Sequence, residues 1–149
     1  MCGEERDINM ATRIRPELSE KNKYWISKHR YYELKHFCLQ YPMWKKAYAA
    51  LDDLMISAPN FEKIPSLSTI PADPTAQYAL LRIHYSERLE MVKRVAMNTD
   101  EALYVYILKA VTEGLSYDYL RLRLGMPCGK DMYYDRYRKF FWLLSKERD

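Results

Sequence analysis

Apolar side chains recur every three or four residues along most of this sequence, and no stretch alternates apolar with polar residues as a half-buried strand would. That spacing places the apolar side chains on one face of a helix. Only four glycines and seven prolines interrupt the 149 residues, which is few for a chain that must make many β-turns. The sequence therefore predicts an all-α fold of about six helices, a helical bundle with a C-terminal helix-turn-helix.

Start and stop signals divide the chain into helices. Helices are expected over residues 28–39, behind a Ser27 cap, over 43–56, and over 74–98, where Asp73 precedes a proline. Thr99 is predicted to cap the next helix, which ends at a glycine. The buried faces of the second and third helices are predicted to contain Trp44, Ala47, Tyr48, Leu51, Leu54 and Met55, and Leu80, Leu81, Ile83, Tyr85, Leu89, Val92, Val95 and Ala96.

The segment 115–146 has the pattern of a helix-turn-helix. Ser116 can cap a short helix, Gly125 can end it in the left-handed conformation, and Pro127 prevents its continuation. A second, longer helix is expected from Lys130. A face of this helix is predicted to pack inward, namely Met132, Tyr133, Tyr137, Phe140, Phe141 and Leu144.

The opposite face of this last helix carries polar and basic side chains. A recognition helix needs side chains at its N-terminal end that reach base edges and flanking cations that contact phosphates. Lys130, Asp131 and Tyr134 are candidates for base contact. The candidates for phosphate contact are Arg121 and Arg123 on the preceding helix and Arg136, Arg138 and Lys139 on the last one.

Positive charge is concentrated in two zones of the chain, although the net charge is only +4. Residues 21–50 carry seven basic and one acidic side chain, and residues 115–149 carry eight and five. Such zones favour a polyanionic partner, because non-specific binding to nucleic acid is mainly phosphate neutralisation. A second basic surface is expected from Lys23, Lys28, Lys35, Lys45 and Lys46.

These C-terminal motifs resemble the helix-turn-helix of small phage transcriptional regulators of the RinA and ArpU type, which are similar to region 4 of sigma factors. The matching elements are Leu115-Ser116-Tyr117, Leu124-Gly125 and the basic, aromatic run Lys130–Lys139. Segments 24–26, 30–39 and 41–42 also resemble proteins encoded in prophages of gut Firmicutes. The resemblance implies a DNA-binding transcription regulator whose partners are double-stranded DNA and host RNA polymerase.

The turn departs from that family pattern and opens a second interpretation. The stretch from Met126 to Met132 is longer than in the family, and Pro127-Cys128-Gly129 lacks the serine or threonine that normally caps the recognition helix. Surfaces rich in Tyr, Trp and Arg also suit protein interfaces. The alternative is a phage-encoded inhibitor of a host defence complex, anti-CRISPR-like, which binds an RNA-guided nuclease or its nucleic acid.

Patterns that carry enzymatic or metal chemistry are missing from the sequence. The three histidines do not converge with acidic residues or cysteines, and the three cysteines have no metal-ligand or disulfide spacing. There is no glycine-rich phosphate loop and no nucleophile elbow. We expect no catalytic residue, cofactor or metal, and the reducing cytoplasm of a bacterial host cell as the location.

The chain is expected to be a flexible N-terminal arm over residues 1–22, followed by a single helical domain over 23–149. A proline- and serine-rich stretch, 57–72, predicts a linker loop within that domain. No apolar run is long enough to span a membrane. The long helix over 74–98 is expected to organise the core, and it could also support a homodimer.

Overall fold

The computed structural model describes residues 20–57 and 73–149, and the regular structure in those ranges is entirely α-helical. The described residues form six helices: α1 Lys28–Leu39, α2 Tyr41–Ser57, α3 Pro74–Thr99, α4 Tyr104–Glu113, α5 Tyr117–Leu124 and α6 Lys130–Glu147. The predicted all-α fold is confirmed. The expected arm over 1–22 and linker over 57–72 lie almost entirely outside the described residues.

Local capping explains where most of these helices begin and end. The side-chain oxygens of Ser27, Asp73 and Ser116 accept hydrogen bonds from nearby backbone N–H groups at 3.3, 3.1 and 3.2 Å. Gly114 and Gly125 end α4 and α5 with φ of 70° and 69°, a left-handed conformation that costs glycine little. These caps and stops are where the sequence predicts them.

The predicted cap at Thr99 is wrong. Thr99 is the last residue of α3, and its hydroxyl donates to the Val95 carbonyl oxygen at 2.7 Å. The Oδ1 of the next residue, Asp100, accepts from the backbone N–H groups of Ala102 and Leu103 at 2.9 and 3.1 Å and so closes the turn before α4, whose own N-cap residue, Leu103, makes no side-chain cap. A threonine hydroxyl can donate to the carbonyl oxygen four residues earlier in a helix. Thr99 is therefore the last residue of α3, although the sequence predicted that it would follow α3 and cap the next helix.

The chain contains two compact units, and the division between them falls inside α3. The larger unit combines the described residues through Gln40 with Met91–Asp149, and the smaller unit is Tyr41–Glu90. In the larger unit, α1 packs on α4 and α6, and α4 also packs on α5 and α6. The expectation of one domain over 23–149 stays a prediction.

Aromatic side chains fill the core of the larger unit. The phenol oxygens of Tyr31 and Tyr137 lie 3.3 Å apart, and the Phe141 ring packs edge-on against Tyr31 with centroids 5.1 Å apart. The predicted inward face of α6 is confirmed at five positions, all buried. The sixth, Met132, is 45% exposed because it lies at the open N-terminal end of the helix.

The smaller unit buries much less of its apolar surface. Trp44 and Leu51 of α2 are buried as predicted, and Asp52 pairs with Arg82 of α3 at 2.6 Å. Several side chains predicted to face inward are instead more than a third exposed. They are Leu54, Met55, Leu80, Leu81 and Ile83. When two helices pack together, each buries only the face that contacts the other. The apolar stripes of α2 and α3 are wider than this contact, so their outer members remain exposed.

Candidate nucleic-acid interface

A compact five-residue turn, Gly125–Gly129, joins α5 to α6. The backbone N–H of Met126 donates to the Leu120 carbonyl oxygen at 3.1 Å, and the Met126 side chain is buried with 1% of its surface exposed. The backbone N–H of Cys128 donates to the Met126 carbonyl oxygen at 3.1 Å. The turn is therefore anchored from within by an apolar side chain and its own backbone.

Two side chains of α5 hold the carbonyl oxygens of this turn. Arg121 Nη1 donates to the Cys128 oxygen at 3.1 Å and to the Met126 oxygen at 3.4 Å. The Tyr117 hydroxyl donates to the same Cys128 oxygen at 3.2 Å. Burial raises the pKa of the Cys128 thiol, which keeps it protonated. Arg121, predicted as a phosphate contact, thus orients α6 relative to α5.

The N-terminal end of α6 is open. Gly129 occupies the N-cap position with extended backbone and offers no side-chain acceptor, so the first N–H groups of α6 have no side-chain cap. Lys130, Asp131 and Met132 of the first turn are all exposed. A helix N-terminus carries a partial positive charge, and the full charge of Lys130 is offset by the Asp131 carboxylate in the same turn. This end can accept an anion such as a phosphate.

Tyr134 is half-buried beside two other tyrosines. The centroid of its ring lies 6.2 Å from that of Tyr117 and 5.2 Å from that of Tyr133. Burial raises the pKa of Tyr134, and the nearby Asp118 carboxylate raises it further. Tyr134 is therefore part of an aromatic cluster, and its predicted contact with a base stays a prediction.

Arg136 is engaged in ion pairs. Its Nε donates to Asp100 Oδ2 at 2.9 Å and its Nη1 to Asp135 Oδ2 at 2.6 Å. Burial alone would raise the pKa of Asp100, but hydrogen bonds from Arg136 and from two backbone N–H groups hold it below its usual value. Arg136 ties α6 to the segment between α3 and α4, and reaching a phosphate would break this pair.

Four of the predicted cations have no acidic partner among the described residues. Arg123 and Lys130 are exposed, and Arg138 and Lys139 are half-buried. The Nε of Arg138 is buried and has no hydrogen-bond partner in the described part of the chain. Of the eight predicted nucleic-acid contacts, Arg121, Arg123, Lys130 and Asp131 are exposed, and Arg121 is the one of these four that bonds to the turn.

The predicted second basic surface is divided between the two units. Lys23, Lys28 and Lys35 belong to the larger unit, and Lys45 and Lys46 to the smaller one. Lys35 is half-buried, and burial lowers its pKa, whereas the other four are exposed. Lys35 lines a narrow cavity among tyrosines that has room for about one water molecule. Lys35 therefore contributes less to the predicted basic surface than the four exposed lysines do.

Residues 20–57 and 73–149 contain no group of three histidine, cysteine or acidic side chains able to hold a metal ion. The described cysteines, Cys38 and Cys128, are buried and unpaired. Within the same ranges, none of the helices combines the length and the apolar character that a membrane span requires.

The structural contacts of Tyr117, Arg121 and Asp100 were not predicted from the sequence. For Arg121 a signal was present, since arginines in the last turn of a helix often donate to the free carbonyls there. For the pair of Asp100 with Arg136 there was none, because the two residues lie 36 positions apart. Comparison with protein-family models, with curated proteins and with solved structures gave no match to this chain.

Proposed function

We propose that this chain is a phage-encoded DNA-binding transcriptional regulator that places the N-terminal end of α6 in the major groove, with α5 and α6 acting as a helix-turn-helix. One observation carries the proposal: the turn between α5 and α6 is rigidly held, while the first turn of α6 is exposed, basic at Lys130 and free of a side-chain cap. Rigid support behind an open helix end suits groove recognition.

The accessible side chains divide into two roles. Lys130 and Asp131 lie at the end of α6 that enters the groove. There a lysine can donate to guanine, and an aspartate can accept from the amino group of cytosine. Arg123 on α5, with Lys139 further along α6, supplies phosphate contacts. Arg121 and Arg136 act indirectly, by fixing the position of α6. Host RNA polymerase is a further partner in this proposal, from the family resemblance.

Fluorescence anisotropy with a labelled duplex tests the proposal across a range of salt concentrations. The double variant Arg123→Gln, Lys130→Gln should bind duplex about tenfold more weakly, and its slope of log affinity against log salt should fall by about 0.9 for each lost contact. The matched control is Lys93→Gln with Lys109→Gln, which removes two exposed lysines elsewhere in the larger unit.

Wild-type affinity in the Arg123, Lys130 variant at every salt concentration would contradict the proposal. Equal losses of affinity in this variant and in the Lys93, Lys109 control would also contradict it, because binding would then depend only on the net charge of the protein. A loss confined to Arg123 and Lys130 supports groove binding by this end of α6.

Exposed apolar side chains on α5 favour a second candidate function, inhibition of a host defence complex. Leu122 is 81% exposed and Tyr119 is 46% exposed. Exposed apolar groups beside a cation are typical of protein interfaces. In this case the protein should inhibit DNA cleavage by a purified RNA-guided nuclease, and Leu122→Ser should relieve the inhibition without changing duplex affinity.

A further inference from the structure

Two adjacent aromatic rings, flanked by two lysines, lie at the C-terminal end of α6 in the larger unit. We call this group the Trp142 surface, and it consists of Lys23, Tyr24, Trp142 and Lys146. Lys23 Nζ lies 4.9 Å from the centroid of the Tyr24 ring, and Lys146 Nζ lies 3.5 Å from that of Trp142. The two rings meet edge-on with centroids 5.4 Å apart.

A turn before α1 presents the first two members of this surface. Asn22 Oδ1 accepts from the backbone N–H of Tyr24 at 2.9 Å, and the Asn22 carbonyl oxygen accepts from that of Trp25 at 3.0 Å. These bonds fix the backbone of Tyr24, and its ring contacts α6 through Trp142. The neighbouring Trp25 side chain is 37% exposed, so it adds aromatic surface beside the two rings.

The lysines of the Trp142 surface keep their charge uncompensated, because arginines pair with the nearby acidic groups. Arg94 pairs with Glu147, and Arg30 pairs with Asp149 at 2.9 Å. Lys23 and Lys146 are exposed and have no acidic partner among the described residues. Tyr24 and Trp142 are half-buried, so partly accessible aromatic rings and two exposed positive charges occur together on this surface.

We infer that the Trp142 surface binds single-stranded nucleic acid. Proteins that hold single strands combine cations for the phosphates with aromatic rings on which bases stack, and stacking tolerates any base sequence. Here Trp142 and Tyr24 supply rings and Lys23 and Lys146 supply the cations. A duplex keeps its bases stacked on one another, so these rings favour a single strand.

This inference does not rest on the proposed duplex binding, because the two surfaces lie at opposite ends of α6. Lys146 follows Lys130 by 16 positions in the same helix, a separation of about 24 Å along its axis. A ligand at one end leaves the other end accessible, and each surface can be altered separately.

Titration of the full chain with oligodeoxythymidylate, followed by anisotropy and by tryptophan emission, tests the inference. Binding should quench tryptophan emission, and Trp142→Leu should remove most of the quenching and weaken binding between about fivefold and a hundredfold. Lys23→Gln with Lys146→Gln should reduce the salt slope by about 0.7 for each lysine. Because both lysines are exposed, this second variant avoids a loss of folding.

Lys45→Gln with Lys46→Gln is the matched control, since it removes two exposed lysines of the smaller unit. Its single-strand affinity should equal that of the wild type. The inference is overturned if the Lys23, Lys146 variant binds like the wild type, or if the control loses as much affinity. It is also overturned if Trp142→Leu lowers thermal stability while affinity and quenching persist.

Discussion

The two ends of α6 are held in different ways. At the C-terminal end, Arg30 of α1 donates to Ser145 Oγ at 3.0 Å and to the Ser145 carbonyl oxygen at 2.9 Å, and Arg148 lies over the Phe37 ring at 3.9 Å. At the N-terminal end, Lys130 makes no polar side-chain contact within the described residues. Stability is concentrated where α6 meets α1, and the opposite end is left available to a ligand.

Shortening a core side chain in the packed half should have the largest effect. Phe140 is fully buried, so Phe140→Ala should lower the free energy of unfolding by about 3–5 kcal/mol. Met132→Ala, at the open end, should cost much less because Met132 is 45% exposed. Urea unfolding followed by circular dichroism measures both, and equal losses would show that the two ends do not differ.

Removal of the Arg30 guanidinium should come next. Arg30→Met keeps the aliphatic stem but removes the charged hydrogen bonds to Ser145 and Asp149, at an expected cost of about 1–2 kcal/mol after allowance for solvent exposure. Arg123→Met, the same change at an exposed arginine on α5, should be neutral within about 0.5 kcal/mol. Thermal unfolding distinguishes the two, and a neutral Arg30→Met would remove the contrast between the ends.

Arg136→Gln should have a smaller effect that depends on pH. The pKa of Asp100 is lowered in the folded state, so its ionised form stabilises the fold above the ordinary aspartate pKa, and this contribution is lost as pH falls below about 4. The variant should be about 1 kcal/mol less stable than the wild type at neutral pH, with the gap closing in acid. Urea midpoints at several pH values measure it, and a constant gap would contradict the role of Asp100.

A cap introduced at the open end should have the smallest effect. Gly129 has extended backbone and no atom near the position of an added Cβ, so Gly129→Ser should stabilise the protein by a few tenths of a kcal/mol. The Ser side chain would accept from the free N–H groups of the first turn. Gly125→Ser is the contrasting variant, because φ of 69° there makes any side chain destabilising.

Helix positions could be predicted from the sequence because their causes are local. Ser27, Asp73 and Ser116 cap the helix that follows each of them, and the glycines at 114 and 125 stop helices without reference to distant residues. Thr99 and Asp100 show the limit of this reasoning. Both residues are able to cap a helix, but Thr99 bonds back to α3 and Asp100 closes the turn before α4, so neither caps α4.

The candidate site was harder to predict because its contacts join distant parts of the chain. Helical spacing places Arg136 on the polar face of α6, but only the packed structure brings Asp100 against it. The same spacing places Tyr134 on that face, but it does not predict the Tyr117 ring, whose centroid lies 6.2 Å from that of Tyr134. Helical periodicity predicts the face of the helix on which a side chain lies. It does not predict which other part of the chain packs against that face.

The phenols of Tyr31 and Tyr137 are paired in the core, and their ionisation can be used to detect unfolding. Burial, followed by the proximity of Tyr31, raises the pKa of Tyr137 well above its ordinary value. The folded state therefore retains a proton that the unfolded state releases above about pH 10, and stability falls as the pH rises through that range. Since phenolate absorbs at a longer wavelength than phenol, an alkaline titration should record the opening of the core as a jump in ultraviolet absorbance.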